Sequence, residues 1–220
     1  MEVVGKCPPE SAELEAAEER GFDKVELYTT REHFDNLEKT LEDVKEADVE
    51  VVSVHTPHVH IDNDKAYFWM ADYLCREIDA YLVFHSQYMH HAHIPQLEEL
   101  KIKSDYGYEN NPGASKEHIT ANILEKDYQM VLDTAHFFMA EENYLEEIEG
   151  LLDSYGDQID LIHLCDSTMT DDGLAFGEGE MDMEAVSRII DESGLDGILV
   201  LEVMPEDQRD AREKFERYTA

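Results

Sequence analysis

Short apolar runs of four to seven residues recur along this chain, each followed by a longer charged segment in which apolar positions return every three or four residues. The first period belongs to strands and the second to one-sided helices. The runs at 2–6, 24–28, 49–55, 81–85, 107–110, 129–133, 159–165 and 197–203 read as strands. The helical patterns lie at 14–21, 33–47, 66–78, 95–102, 116–126, 143–156, 183–194 and 208–218. Eight strands, each followed by a helix, predict an α/β fold, a single compact (β/α)8 TIM barrel spanning residues 1–220. A doubly wound open sheet would want a glycine-rich phosphate loop after an early strand, and VVGKCPP at 3–9 is not one. No linker or low-complexity segment interrupts the alternation.

In such a barrel the chemistry sits at the C-terminal ends of the strands. Those ends read SVHTPHVH (53–60), VFHSQ (83–87), GYENNPG (107–113), LDTAH (132–136), LIHLCD (161–166) and VLEV (200–203). Side chains alternate along a strand. If the apolar parity fills the barrel, His55, His85, Glu109, Asp133, His163 and Glu202 point inward at the tops of six consecutive strands. A lone inward histidine is more often a hydrogen-bonded structural group, and an aspartate before a turn is often only a helix cap. Yet Glu109, Asp133 and Glu202 interrupt apolar sequence, where a bare carboxylate is costly to desolvate unless paired or metal-bound. The set Glu109, Asp133, His163 and Glu202 therefore predicts a bound divalent cation. Three carboxylates and one imidazole suit Mn²⁺, Mg²⁺, Co²⁺ or Zn²⁺. One ion is expected, and a second if His55 and His85 join.

Composition narrows the setting. Of 220 residues, 42% are hydrophobic, which marks a globular chain. No apolar run approaches the roughly 18 residues of a membrane helix. MEVVGKCPPESAEL at the start lacks a basic stretch followed by an apolar one, so no secretory leader is expected. Three cysteines without paired spacing point to a reducing, cytoplasmic setting. The net charge of −36, from 53 acids against 17 bases spread throughout, predicts life in a high-salt cell. Screening there shrinks to about 3 Å at 1 M salt. Surface acids are then the default, and no acidic cluster alone argues for metal. Lys6 and Arg31, after the first two strands, are candidate contacts for a phosphate or carboxylate, although each reads more readily as an exposed loop charge. YMHHAHIP at 88–95 carries His90, His91 and His93, a candidate metal-entry loop or substrate lid with a solvated loop as the plainer reading. Tyr67, Trp69 and Tyr73 read as helix packing.

The stretches SVHTP, FHS, YENN, LDTAH, IHLCD, FGEGEMD at 176–182 and LEV resemble the xylose-isomerase-like barrel superfamily. That group includes sugar and sugar-phosphate isomerases and epimerases, and also the endonuclease IV group of abasic-site nucleases. The match covers six of the eight strands in order, and VELY at 25–28 resembles the family's second strand with Glu26 inward. The resemblance implies one metal held by Glu109, Asp133, His163 and Glu202, with the two glutamates as the acid–base pair and His136 touching substrate. In nuclease-type members, the residues matching His55 and His85 join Glu109 around a second ion, and His136 joins an Asp-x-His pair around a third. Here Asp171 and Asp172 are followed by no histidine at the needed spacing, so that third site looks broken.

Two mechanisms follow. The first is a metal-dependent isomerase or epimerase of a small-molecule sugar or sugar phosphate. A glutamate removes the proton α to the carbonyl, and a carboxylic acid returns it to a metal-stabilised enediolate. The second is a phosphoester metallohydrolase, of the kind that cleaves abasic DNA, using a two-metal site with His55 and His85. No Lys/Arg cluster lies on the loops that would face DNA, which disfavours a nucleic-acid partner. A non-catalytic barrel is the third reading, and the intact donor set argues against it.

Overall fold

The computed structural model describes residues 1–85 and 94–220. In chain order the elements are β1 (Glu2–Cys7), α1 (Ser11–Glu19), β2 (Lys24–Tyr28), α2 (Arg31–Asp35), α3 (Leu37–Glu46), β3 (Glu50–His55), α4 (Ile61–Ile78), β4 (Tyr81–Phe84) and α5 (Ile94–Leu100). They continue with β5 (Tyr106–Glu109), α6 (Lys116–Asn122), β6 (Met130–Asp133), α7 (Thr134–Phe138), α8 (Tyr144–Tyr155), β7 (Ile159–Leu164), α9 (Met183–Glu192), β8 (Ile198–Leu201) and α10 (Gln208–Tyr218). The strands follow one another in chain order around a closed parallel barrel, and β8 pairs back onto β1 from Glu2↔Ile198 to Val4↔Val200. This is the (β/α)8 topology that the alternating pattern predicts. The chain groups into two units, Gly5–Tyr108 and Met1–Val4 with Glu109–Ala220, so the division cuts β1 and β5.

In the unit Gly5–Tyr108, α4 buries Ile61, Phe68, Ala71, Leu74 and Cys75, the stripe that a 3.6-residue period brings to one face. Trp69 and Tyr73, expected to pack, instead fall on the outer side and are exposed. Trp69 Nε1 donates to the Leu100 carbonyl at 3.2 Å, and the Arg76 guanidinium lies 5.7 Å from the centroid of the Tyr73 ring. The single helix expected at 33–47 is broken at Asn36, whose side-chain amide donates to the Glu32 carbonyl at 2.9 Å. Such local bonding competes with the helix ladder and stops it. Strand register sets Lys6 beside Glu26 and Glu26 beside Ser53. All three are buried, with Lys6 Nζ 3.0 Å from Glu26 Oε1 and the Ser53 hydroxyl donating to Oε2 at 2.8 Å. The extra hydrogen bond helps offset the desolvation of this ion pair.

In the unit built from Met1–Val4 and Glu109–Ala220, α9 buries Met183, Val186, Ser187 and Ile190 and is capped by Asp182, which accepts from Ala185 N at 3.0 Å. The expected helix at 116–126 ends early at Asn122 and is followed by a 3-10 turn, Leu124–Lys126. A short helix that the pattern does not predict, α7, starts directly at the end of β6. Asp133 caps it by accepting from His136 N at 2.8 Å. Strand β8 stops at Leu201, two residues earlier than expected. Glu202 N still donates to the Leu164 carbonyl at 3.0 Å, but Pro205 then opens a 3-10 turn, Pro205–Asp207. The strand expected at 81–85 likewise ends at Phe84.

Candidate active site

Within the unit holding Glu109–Ala220, register places the end residues of successive strands at one level. Asp133 pairs with His163, and His163 with Val200. Glu109 closes β5, and Glu202 lies one residue past β8. His163 Nδ1 then sits 2.9 Å from Glu109 Oε1 and 3.0 Å from Glu202 Oε2. Glu109, Asp133 and His136 form a second close group, their donor atoms all within 4.8 Å of one another. His163, Glu109 and Asp133 are buried, whereas the Glu202 side chain is 25% exposed. An imidazole nitrogen and several carboxylate oxygens thus converge at a largely buried place.

Burial and charge set the protonation there. Burial pushes Asp133 up to about 7 from its ordinary 3.8, the His136 ring partly offsets this, and the Glu202 and Glu109 carboxylates raise it further. Burial lowers the His136 imidazolium, but Asp133, the Asp172 hydrogen bond, Glu109 and Glu202 overcome it and hold that ring up to about 10. Carboxylates crowded in a low-dielectric site repel one another, and a divalent cation relieves that repulsion. The donor set of one imidazole and three carboxylates also has the chemistry that such an ion takes. The residues present therefore fit a divalent metal.

Two residues that sequence reasoning did not assign hold this arrangement. Asn110, inside the YENN stretch, donates through Nδ2 to the Asp133 carbonyl at 2.9 Å and accepts from Asp133 N at 2.7 Å. Its own carbonyl accepts from His136 Nδ1 at 2.9 Å. A side-chain amide spliced into the backbone ladder fixes both neighbours, a role that only the folded register reveals. Asp166, the last residue of IHLCD, is fully buried. Its carboxylate accepts from the backbone N–H groups of Ser167, Gly177, Gly179 and Met181 at 2.8–3.2 Å. It therefore shapes the FGEGEMD loop. Gly179 is required there, because a Cβ would meet Asp166 Oδ1 and come within 2.6 Å of Ser167 N.

The remaining sequence candidates lie in the unit Gly5–Tyr108. His55 ends β3, and its ring centroid is 4.6 Å from that of His85, which in turn stacks on His58 at 4.1 Å. Lys6 is engaged with Glu26, as described above. Arg31 forms a two-pronged pair with Asp64 at 2.7 and 3.1 Å. Both candidate phosphate-binding cations are thus already matched with a carboxylate. His90, His91 and His93 lie outside the described residues.

Residues 105–218 match the family model described as a xylose isomerase-like TIM barrel. No curated protein matches by sequence. Among solved structures, a D-tagatose 3-epimerase-like protein is similar at a TM-score of 0.76 and 20% identity, covering 99% of this chain and 97% of its own. A xylose isomerase domain protein from Planctomyces limnophilus is similar at 0.71 and 15%, covering 98% and 95%. A D-allulose 3-epimerase from Methylomonas sp. is similar at 0.67 and 13%, covering 99% and 98%. At these identities the likeness is one of fold.

Proposed function

Because this chain belongs to the xylose isomerase-like TIM barrel family, we propose that it is a divalent-metal-dependent sugar isomerase or epimerase with Glu109 and Glu202 as its acid–base pair. The observation that carries this reading is the convergence of both glutamates on one ring nitrogen of His163, Nδ1, at 2.9 and 3.0 Å, with buried Asp133 paired to His163 in register. Glu109, Asp133, His163 and Glu202 would hold the ion. When bound, it supplies Lewis-acid polarisation of a ketose carbonyl and its neighbouring hydroxyl.

The chain's own groups do the rest. One glutamate takes the proton from the carbon next to the carbonyl, and a carboxylic acid returns one. Return to the same carbon on the opposite face inverts the centre, whereas return along the same face to the former carbonyl carbon, with the adjacent hydroxyl giving up its proton, moves the carbonyl. The glutamates differ in access, since Glu109 is 1% exposed and Glu202 25%. Glu202 is therefore the group through which solvent hydrogen enters. Asn110 holds Asp133 and His136 in register while the proton moves, and His136 orients a substrate hydroxyl. The pairing of Lys6 with Glu26 and of Arg31 with Asp64 supports a free sugar over a sugar phosphate.

Incubation with ketopentoses and ketohexoses in D₂O with Mn²⁺ tests this. Deuterium should appear at the carbon next to the carbonyl, and Glu202→Gln should slow its entry by about 10²–10⁴. Metal occupancy is measured in parallel, because Glu202 is also a proposed ligand. A second reading, phosphoester hydrolysis at a two-metal site, draws support from the close His55–His85 pair. Phosphoester cleavage lost in His85→Ala, with no exchange on any sugar, would replace the first reading with the second.

A further inference from the structure

Asp172 stands apart from the buried donors. Its side chain is 47% exposed, and its Oδ2 lies 3.1 Å from His136 Nε2, across the loop that follows β7. That loop is held firmly on both sides of Asp172. Leu174 and Asp166 exchange backbone hydrogen bonds at 3.0 Å, Thr168 N donates to the Asp171 carbonyl at 2.8 Å, and Gly173 N donates to Cys165 Sγ at 3.2 Å. Gly173 adopts a φ of +70°, a left-handed turn that sets the residue before it over the ring. His136 is fixed independently through its other nitrogen, on the Asn110 carbonyl. One carboxylate oxygen is thus used on a positioned imidazole, while the side chain still reaches solvent.

Both His136 nitrogens are engaged, Nε2 on Asp172 and Nδ1 on the Asn110 carbonyl, so the group turned to a ligand is the part-exposed Asp172 carboxylate, an acceptor held in place by the imidazole. A hydroxyl donates to such an acceptor. A phosphate only accepts at neutral pH, and it meets the carboxylate's charge. We propose that Asp172, together with His136, is a recognition site for a substrate hydroxyl, and that it makes the site selective for a neutral polyhydroxylated ligand. The inference rests on the sugar reading above and adds a specificity-determining residue to it.

The test uses full-length, metal-loaded protein with Asp172→Ala and Asp172→Asn, and Asp171→Asn as the control for loop charge. Deuterium exchange is compared between a ketopentose and dihydroxyacetone, which lacks the distal hydroxyls. Asp172→Ala should lower kcat/KM about 10–100-fold more for the ketopentose than for dihydroxyacetone, mainly through KM, as loss of a charged hydrogen bond does. Asp171→Asn should change neither. In a His136→Ala background, Asp172→Ala should add little, because the two residues act as one unit. Equal losses on both substrates, or full additivity, would overturn the proposal. Binding of the unreactive five-carbon alditol ribitol, followed by ligand-observed NMR, separates this idea from the catalytic one. A wild type that binds ribitol but exchanges no deuterium overturns the isomerase reading alone, and weaker ribitol binding in Asp172→Ala then upholds the hydroxyl site. Undiminished ribitol binding in Asp172→Ala, or no binding by the wild type, refutes it.

Discussion

His163 Nδ1 lies within 3.0 Å of both glutamates, and its loss should remove metal binding more completely than loss of a peripheral imidazole. We expect His163→Ala to lose stoichiometric Mn²⁺ in equilibrium dialysis while keeping its circular dichroism spectrum; His118→Ala, on the exposed side of α6, should keep both. Protons compete for the same donors. Asp133 is raised from 3.8 to about 7 and His136 from 6.5 to about 10, so the metal-free folded chain holds protons that the unfolded chain releases. Stability from Asp133 is full below pH 3.8 and lost by about 7, and that from His136 is full below 6.5 and lost through about 10. The melting temperature of chelator-treated protein should therefore fall from pH 6 to 9. The increment from added Mn²⁺ should grow over the same range, because the ion needs deprotonated ligands. A flat increment would remove Asp133 from the ligand set. Glu109, Asp133, His163 and Glu202 could be read as candidates from the sequence because a polar group inside an apolar run needs a partner. Asn110 was not, since an asparagine after a strand reads as a turn, and its bonds to Asp133 exist only once β5 and β6 lie side by side.

Among elements, the loop from Asp166 to Asp182 depends most on one side chain. Four backbone N–H groups converge on the Asp166 carboxylate, and Gly179 packs against it too closely for any Cβ. Gly179→Ala should displace the loop and lower the melting temperature by about 2–8 °C, the range for a local disruption of one to a few kcal/mol in a chain of this size. Hydrogen exchange should show the amides of Gly177, Gly179 and Met181 losing protection. Unchanged protection would mean that the loop does not rely on this contact. Lys214 on α10 reinforces the loop by donating to the Phe176 carbonyl at 2.6 Å. The motif FGEGEMD marked this segment as special, but its spacing did not reveal that Asp166, thirteen residues before Gly179, is the anchor. Element boundaries shifted for similar reasons. Asn36 breaks a helix through its own amide, and Asp133 starts one by capping it, both side-chain events that hydrophobic period does not carry.

For the whole molecule, charge is the dominant feature. With 53 acids against 17 bases, lowering ionic strength leaves the acids unscreened. We expect the melting temperature to rise steeply between tens of millimolar and molar KCl, and an unchanged value would contradict adaptation to high salt. Among the described residues no helix is long and apolar enough to cross a membrane. The sequence by itself determined the (β/α)8 order, because strand and helix periods are local properties of the pattern. It also determined which strand tops carry metal-competent groups, because parity along a strand is local as well. Tertiary structure decided which of those groups meet. Register brought Asp133 level with His163, and the end of β8 brought Glu202 to the same imidazole as Glu109. It also decided that Lys6 and Arg31 are matched to Glu26 and Asp64, and that Asp172 reaches His136. These pairings join residues between 20 and 54 positions apart in the chain, distances that periodicity and composition do not encode and that only closure of the strands makes short.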